Sequence, residues 1–280
     1  MIIIANSIPS NTEWIAVDNG NIINRAITDS INPYYNTRRE ISHMIRLQLP
    51  SDFFKPRPEH IYFYGVGCDN STNKQIIEAS LTSQFRARVT VDDFVMGVAH
   101  SMLGRDEGIA CVLGSMSAAG LYDGQGFISM SPSYGVLLGD EGSELYMGIK
   151  FAADCLRNFT PVSLKQEFYK EYNIDDDKMI MMLYHKPSTI KTARSFWQFL
   201  LHHRDNAYVA QLINHSIETY FRRILLPLSP TADTRVSFVG SVAHKMSPLI
   251  YQEASKHNLN IHAIAQSPIE GLIRYHCHML

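Results

Sequence analysis

Residues 138–143 read Leu-Gly-Asp-Glu-Gly-Ser and place two acidic side chains, Asp140 and Glu141, between two glycines. A carboxylate pair in a tight turn is suited to binding sugar hydroxyls or a hydrated magnesium ion. The same string also fits a helix start, because Asp140 or Ser143 can cap a helix that begins near Glu144. Both interpretations stay open here. The string also divides the chain, because mainly strand-like patterns precede it and mainly helical patterns follow it.

Before this string, short apolar runs alternate with turn residues, which predicts β-hairpins followed by β/α units. Strands are predicted over residues 2–5, 14–17, 61–64, 87–91 and 109–113, and helices over 37–49, 73–84 and 95–103. After it, helices are predicted over 144–158, 163–172, 176–184, 192–201, 206–225 and 248–257, with one strand over 235–239. A hairpin followed by a β/α unit occurs twice, at residues 2–65 and 109–240, which predicts two duplicated lobes around a cleft.

The composition is that of a globular chain of 280 residues, with 45% apolar and 19% charged residues. The 25 Lys and Arg against 27 Asp and Glu give a formal charge of −2, so we expect neither a nucleic-acid nor a membrane partner. No run approaches the length of a membrane span and the first residues do not read as a signal peptide, so we expect a cytoplasmic protein. The four widely spaced cysteines predict free thiols, with no disulfide and no structural zinc.

Turns that contain glycine or serine follow several predicted strands, and the sequence has no complete P-loop, HExxH or GxGxxG motif. Such turns can present backbone N–H groups and small hydroxyls to a phosphate. Each turn taken alone is also an ordinary strand connection. The five turns lie at residues 7–12, 65–67, 114–117, 139–143 and 240–241.

Segments spread along nearly the whole chain match one known family. They lie at residues 4–14, 31–33, 62–68, 108–114, 122–124, 138–143, 240–243 and 266–273. With them the chain resembles the BadF/BadG/BcrA/BcrD-type ATPases, specifically the N-acetylglucosamine kinase-like branch of the actin/hexokinase/Hsp70 superfold. The resemblance implies an α/β fold of two duplicated ribonuclease-H-like lobes around a central cleft, with a helical insertion in the second lobe. The expected small lobe is 1–94, completed by 267–280, and the expected large lobe is 95–266.

The resemblance also implies ATP and magnesium in the cleft and transfer of the γ-phosphate to the 6-hydroxyl of an amino sugar. The positions implied for the sugar are Asn32, Ser133, Tyr134, Gly135, Asp140 and Glu141. The positions implied for the nucleotide are Ser10, Asn11, Thr12, Gly114, Ser115, Ser117, Gly240 and Ser241. Asn6 and Asp140 are implied for magnesium, and a homodimer is common in this group.

Both phosphate motifs depart from the family pattern. The first, Asp-Ser-Gly-Ser-Thr-Lys-Thr in the family, begins here at Asn6 and reads Asn-Ser-Ile-Pro-Ser-Asn-Thr. The carboxylate that organises magnesium is therefore an amide, Asn11 replaces the lysine, and Pro9 lacks a backbone N–H. The second, Leu-Gly-Thr-Gly-Ser-Asn, reads Leu-Gly-Ser-Met-Ser-Ala here. Its Met116 replaces a glycine that lets the backbone approach a phosphate.

The catalytic base also departs from the family pattern, in which an aspartate stands three residues before a glycine. Alignment on Gly97 places Phe94 at this position, and phenylalanine cannot accept a proton. Asp93 is adjacent, but an offset of one residue turns a side chain by about 100° on a helix or to the other face of a strand. Asp93 can serve as the base only if the local backbone shifts.

Two hypotheses about function follow. The first is a relative with eroded phosphate and base motifs that is weak or inactive as a kinase, uses no cofactor if inactive, and still binds an amino sugar. The second is an active ATP- and magnesium-dependent amino-sugar kinase with Asp93 as base. The sequence favours the first, because its losses concentrate on the phosphate side.

Overall fold

The computed structural model describes residues 1–184 and 188–277, and for residues 188–191 the backbone alone. This chain divides into two units. The first contains Met1–Ala110, Tyr122–Phe127 and Ser267–Leu280, and the second contains Cys111–Leu121 and Ile128–Gln266. In the described part of the chain, no helix is long and apolar enough to cross a membrane.

Strands and helices alternate between residues 21 and 113, and the described residues between 144 and 220 are mainly helical. The strands are β1 (Ile2–Ile8), β2 (Asn11–Asp18), β3 (Asn21–Thr28), β4 (His60–Gly65), β5 (Arg88–Asp93), β6 (Gly108–Leu113), β7 (Ser117–Tyr122), β8 (Phe127–Ser131), β9 (Val236–Val239) and β10 (Ile261–Ala265). The helices are α1 (Arg38–Gln48), α2 (Ser71–Phe85), α3 (Phe94–Met102), α4 (Glu144–Leu156), α5 (Val162–Tyr172), α6 (Asp176–Tyr184), α7 (Ser188–His202), α8 (Ala207–Tyr220), α9 (Ser241–Lys245), α10 (Ser247–Lys256) and α11 (Ile269–His276). A π-helical turn, Phe221–Leu225, follows α8, and 3₁₀ turns lie at Ser51–Phe53 and Leu226–Leu228.

The first unit is built on a five-stranded sheet in the order β3-β2-β1-β4-β5. Strand β1 pairs antiparallel with β2 and parallel with β4, and β4 pairs parallel with β5. As the central strand, β1 is buried along five consecutive residues. Its alternating side chains supply two cores, with Ile3 and Ala5 in the core that includes residues of α1 and α2, and Ile4 in the core that includes residues of α11.

Helix α11 completes the first unit by packing against α3 and β1. The Tyr64 hydroxyl of β4 lies 2.8 Å from Nδ1 of His100 in α3 and 2.9 Å from Nε2 of His276 in α11. Ser101 Oγ donates to the Pro268 carbonyl at 2.8 Å. Because α3 also packs against β1, β4 and β5, residues 95–110 belong with the first unit in this division. The lobe boundaries expected from the sequence, at 94 and 95, stay a prediction.

The second unit contains most of a five-stranded sheet in the order β10-β9-β6-β7-β8, in which β9 and β10 run parallel. Helices α4 to α8 form the helical insertion between β8 and β9. Within it, α4 and α7 approach closely, because Gly148 has no side chain: a Cβ there would lie 2.1 Å from the Ala193 carbonyl oxygen. This close approach brings Arg194, the residue after Ala193, near Glu144 of α4.

The α/β fold with two five-stranded sheets confirms the fold expected from the sequence. The strands and helices expected from periodicity are present, with ends shifted by a few residues, although the helix expected to reach residue 225 gives way to the π turn after Tyr220. Strand β10 was not expected. Only Ile261 is buried in it and the pairing with β9 shifts between Ile261 and Ala263, so no clean alternation marks it.

Candidate sugar and nucleotide sites

The first phosphate motif forms the hairpin between β1 and β2, where Ile8 and Asn11 face each other across the two-residue loop Pro9-Ser10. Asn6 lies before this loop and is only 5% exposed. Among the described residues, its Oδ1 atom has no hydrogen-bond partner, and neither does the buried Oγ of Ser10. The Asn6 side chain thus has a buried amide oxygen without the hydrogen-bond donor that such an atom normally requires.

Two hydroxyls of the same hairpin are used inside the scaffold. The Ser7 hydroxyl and the Thr12 hydroxyl both accept from the Ile31 N–H at 3.1 Å, and the Thr12 hydroxyl donates to the Asp29 carbonyl at 3.1 Å. Both side chains are fully buried. Thr12 therefore fixes the segment that leads to Asn32, and its implied role at a phosphate stays a prediction.

Asn32 is held by its own turn and by Gly67. Its Oδ1 accepts from the Tyr34 N–H at 3.0 Å, and its N–H donates to Asn36 Oδ1 at 3.0 Å. Gly67 has φ of +80°, and a Cβ there would lie 2.4 Å from Asn32 Oδ1, so this site requires glycine. The amide nitrogen of Asn32 is left as the group that can donate to a ligand.

Asp93 lies at the end of β5, opposite Gly65 of β4, and caps α3 by accepting from the Val95 N–H at 2.8 Å. Burial raises the pKa of the Asp93 carboxyl, and the hydrogen bond from Val95 opposes this effect. Phe94 is instead buried as the first residue of α3. The carboxylate at this strand end therefore comes from Asp93, and its role as a base stays a prediction.

In the second unit, the turns after β6 and β9 meet closely. A Cβ on Gly240, which has φ of +139°, would lie 2.3 Å from the Leu113 carbonyl oxygen, and one on Gly114 would lie 3.3 Å from the Ser241 nitrogen. These two implied nucleotide loops are therefore adjacent within the unit. The turn before α4 joins them, since the Glu144 N–H donates to the Gly114 carbonyl at 2.8 Å.

The sequence left open whether Asp140 or Ser143 caps α4, and the two residues have different roles. Ser143 caps α4 by accepting from the Tyr146 N–H at 3.1 Å. The buried Asp140 Oδ1 accepts from the Ser133 hydroxyl at 2.6 Å and from the Ser117 N–H at 3.3 Å. Burial raises the pKa of the Asp140 carboxyl, against the lowering effect of these two bonds. Asp140 is therefore oriented without serving as the helix cap.

The other implied sugar residues differ in how firmly they are held. Glu141 Oε1 lies 2.8 Å from Arg223 Nε in an ion pair. Tyr134 is 68% exposed, and a Cβ added to Gly135 would meet nothing within 4 Å. Of residues 133–135, only Ser133 is joined to Asp140 by a hydrogen bond.

Two backbone donors of the second phosphate motif are engaged internally. The Gly114 N–H donates to the Met116 carbonyl at 3.0 Å, and the Ser117 N–H donates to Asp140. Met116 is a buried side chain, whereas the Ser117 hydroxyl is buried without a partner among the described residues. These contacts of the second unit fit a bound triphosphate poorly.

Glu144 and Arg194 were not among the expected site residues. Glu144 is 1% exposed, its Oε1 accepts from the Ser241 hydroxyl at 2.6 Å, and its Oε2 lies 3.3 Å from Arg194 Nε. The latter contact has ion-pair distance without hydrogen-bond geometry. The sequence signal was the acidic residue directly after the helix cap, but its partners lie 50 and 97 residues away.

Comparison with solved structures places this chain among sugar kinase-like proteins. A Porphyromonas gingivalis chain described as a "putative N-acetylglucosamine kinase" is 30% identical, with 99% of each chain covered and a TM-score of 0.94. The present chain belongs to the N-acetylglucosamine kinase-like family. This is the branch of the BadF/BadG/BcrA/BcrD ATPases, with the actin/hexokinase/Hsp70 superfold, that its motifs resemble.

More distant structures share the fold of this kinase-like chain. A Chromobacterium violaceum chain, also described as a "putative N-acetylglucosamine kinase", is 14% identical, with 98% of each chain covered and a TM-score of 0.75. The ethanolamine utilization protein EutJ from Carboxydothermus hydrogenoformans is 10% identical, covering 98% of this chain and 89% of its own, with a TM-score of 0.56. No protein-family model and no curated protein matches the chain.

Proposed function

We propose that this N-acetylglucosamine kinase-like protein binds an N-acetylated amino sugar and transfers phosphate from ATP weakly or not at all. The observation that carries the proposal is a contrast within the second unit. Asp140 is oriented by Ser133 and Ser117, whereas the Gly114 N–H is engaged by the Met116 carbonyl. The oriented carboxylate supports sugar binding, and the engaged Gly114 N–H supports weak phosphate binding.

On the sugar side, the chemistry of the retained groups suits hydroxyl and acetamido groups. In this proposal the Asp140 carboxylate of the second unit accepts from sugar hydroxyls, and the Asn32 amide nitrogen of the first unit is a separate candidate donor. Tyr134, which is exposed, packs against the sugar ring in this proposal. Polar groups placed to pair with a ligand discriminate strongly against compounds that leave them unpaired.

On the phosphate side, several losses act together. Asn6 removes the negative charge that organises magnesium in the family, Pro9 removes a backbone donor, and Phe94 stands where alignment places the base. General-base help alone is typically worth about 10²–10⁴ in rate. The losses need not add, because residues that act as one unit are non-additive once the first is gone.

Calorimetry with N-acetylglucosamine, N-acetylmannosamine and N-acetylmuramic acid at millimolar concentration tests sugar binding. We expect binding heat with at least one of these sugars, and its loss in Asp140→Asn. Asp123→Asn is the matched control, because Asp123 is an exposed carboxylate in the β7–β8 turn. No heat with any of the three sugars contradicts this part of the proposal.

A coupled ADP-release assay with the same sugars tests phosphoryl transfer. We expect turnover far below the range of about 1–100 s⁻¹ that is ordinary for kinases. A restored variant that carries Asn6→Asp, Ile8→Gly, Asn11→Lys, Phe94→Asp and Met116→Gly should exceed the unmodified protein. Ordinary turnover by the unmodified protein refutes the proposal of weak activity.

An active amino-sugar kinase that uses ATP and magnesium is the second candidate, and the position of Asp93 favours it. Its carboxylate lies at the end of β5, is partly buried, and has a pKa raised by that burial, as suits a general base. The decisive result is ordinary turnover by the unmodified protein that Asp93→Asn abolishes.

The proposal also includes a cytoplasmic location and, as an open expectation, a homodimer. Light scattering on the purified chain distinguishes a monomer from a dimer, and cell fractionation tests the location.

A further inference from the structure

The carboxylate of Glu144 lies beside the two implied nucleotide loops of the second unit. Its backbone N–H is bonded to the Gly114 carbonyl, and its Oε1 accepts from the Ser241 hydroxyl at 2.6 Å. The side chain is 1% exposed, so solvent screens its charge little. A buried negative charge at this place is unusual for loops expected to hold phosphate, which is itself an anion.

Two groups that would favour an anion are engaged by Glu144. The Ser241 hydroxyl donates to Oε1, and the Arg194 guanidinium lies 3.3 Å from Oε2 through Nε. Arg194 is brought there by α7, whose Ala193 approaches Gly148 on α4. Glu144 itself stands in the first turn of α4, where a negative charge is favoured by the helix dipole.

We infer that Glu144 is a specificity-determining residue that weakens nucleotide binding by repelling phosphate and by engaging Ser241 and Arg194. The inference rests on the proposed function, because it takes Gly114, Gly240 and Ser241 as the residues that face the nucleotide. It deepens that function by assigning part of the low nucleotide affinity to one charge in the second unit. The sugar-side residue Asp140 is not involved.

Replacement of Glu144 by glutamine tests this inference by keeping the size of the side chain and removing its charge. In calorimetry with Mg-ADP, Glu144→Gln should bind at least about tenfold more tightly than the unmodified protein, because Arg194 is then no longer neutralised. The gain should be larger for Mg-ATP and absent for adenosine, which carries no phosphate. A purely structural role of Glu144 does not produce this dependence on phosphate charge.

The matched control is Glu253→Gln, which removes another buried carboxylate that is paired with Lys256 at 2.6 Å in α10. This control should leave Mg-ADP affinity unchanged. In a Glu144→Gln protein, the further change Arg194→Gln should cancel the gain. Circular dichroism checks folding, and Glu144→Ala serves as the second variant if the glutamine variant does not fold.

Equal Mg-ADP affinity in the unmodified and Glu144→Gln proteins overturns the inference, as does an equal gain with adenosine. Absence of detectable Mg-ADP binding in both proteins also overturns it. Ordinary kinase turnover by the unmodified protein refutes the proposed function instead, and the affinity ratio between the two proteins still decides the role of Glu144.

Discussion

Asn6 is a buried residue of β1 whose amide oxygen has no hydrogen-bond partner among the described residues. Glu13 lies opposite it on β2, and burial raises the pKa of the Glu13 carboxyl. In Asn6→Asp, a buried carboxylate without a donor would face the half-buried Glu13 across the strand pair. We expect the free energy of unfolding to fall by about 1–3 kcal/mol without divalent cations. Millimolar MgCl₂ should restore part of it, because a cation that binds only the native state stabilises that state.

Urea unfolding at pH 7, with and without MgCl₂, measures this effect. Asn21→Asp, on the exposed start of β3, is the control and should show neither the loss nor the magnesium response. Identical unfolding curves for Asn6→Asp with and without magnesium contradict the prediction.

Asp93 gives a pH dependence of stability with a definite sign. Because burial raises its pKa in the folded state, the native protein binds this proton more tightly than the unfolded chain does. The wild-type protein therefore loses stability as pH rises from the ordinary value of 3.8 through the raised folded value. In Asp93→Asn the amide side chain does not titrate, and asparagine still caps a helix well. We expect this variant to be more stable than wild type at pH 7, by a margin that shrinks toward pH 4.

Urea unfolding from pH 4 to 8 checks this dependence on Asp93. Asp123→Asn is the opposite case, because hydrogen bonds from the backbone of Gly126 and Gln125 lower the pKa of the Asp123 carboxyl. Asp123→Asn should be less stable than the wild-type protein at neutral pH. This difference in stability should also shrink on acidification. A stability difference for Asp93→Asn that does not change with pH would sink the prediction.

Among single residues, the sequence located Asp140 but not its neighbour Glu144. Asp140 belongs to a recognisable string, so its position follows from the local pattern. The setting of Glu144 depends on Ser241 and on Arg194, which only the packed helices bring near. Likewise, the internal use of Thr12 depends on the Ile31 backbone, which no local pattern specifies.

At the scale of elements, the contact between α3 and α11 depends on a glycine. A Cβ on Gly271 would lie 2.2 Å from the backbone oxygen of Ser101, so the two helices must separate to admit it. We expect Gly271→Ala to lower the free energy of unfolding by about 1–3 kcal/mol, as overpacking usually does. Gly126→Ala is the matched control, because a Cβ there meets nothing within 4 Å.

Chemical denaturation of the two alanine variants measures this difference in packing. Equal free energies of unfolding for Gly271→Ala and the unmodified protein would contradict the prediction. Elements such as α3 were predictable because their apolar residues repeat with the helical period. The close distance between α3 and α11 was not predictable, because it depends on which residue of a distant element faces each glycine.

At the scale of the whole molecule, the two sheets were predictable because the hairpin and β/α pattern occurs twice in the sequence. The return of α11 to the first unit followed from the family resemblance alone. It covers Ile4, Ile15, Val17 and Tyr64 with its own apolar residues. A chain truncated after Gln266 should therefore expose this face, bind a hydrophobic dye such as ANS and lose solubility.

Sedimentation and dye fluorescence of the truncated chain check this expectation. A synthetic peptide of residues 267–277, added in excess, should reduce dye binding, whereas the same peptide with Leu272→Asp should not. A truncated chain as soluble and as dye-free as the intact one contradicts the prediction.

The first unit is built from segments that lie far apart in the sequence, and this has a consequence for protein synthesis. Its five strands leave the ribosome before most of the second unit, and Ser267 and the residues of α11 follow only after the whole second unit. At about 5–20 residues per second, that delay is roughly ten to thirty seconds. During this time the face of the sheet that α11 covers stays exposed. Molecular chaperones could bind this apolar surface until α11 is synthesised. Completion of the first unit therefore depends on prior synthesis of the whole second unit.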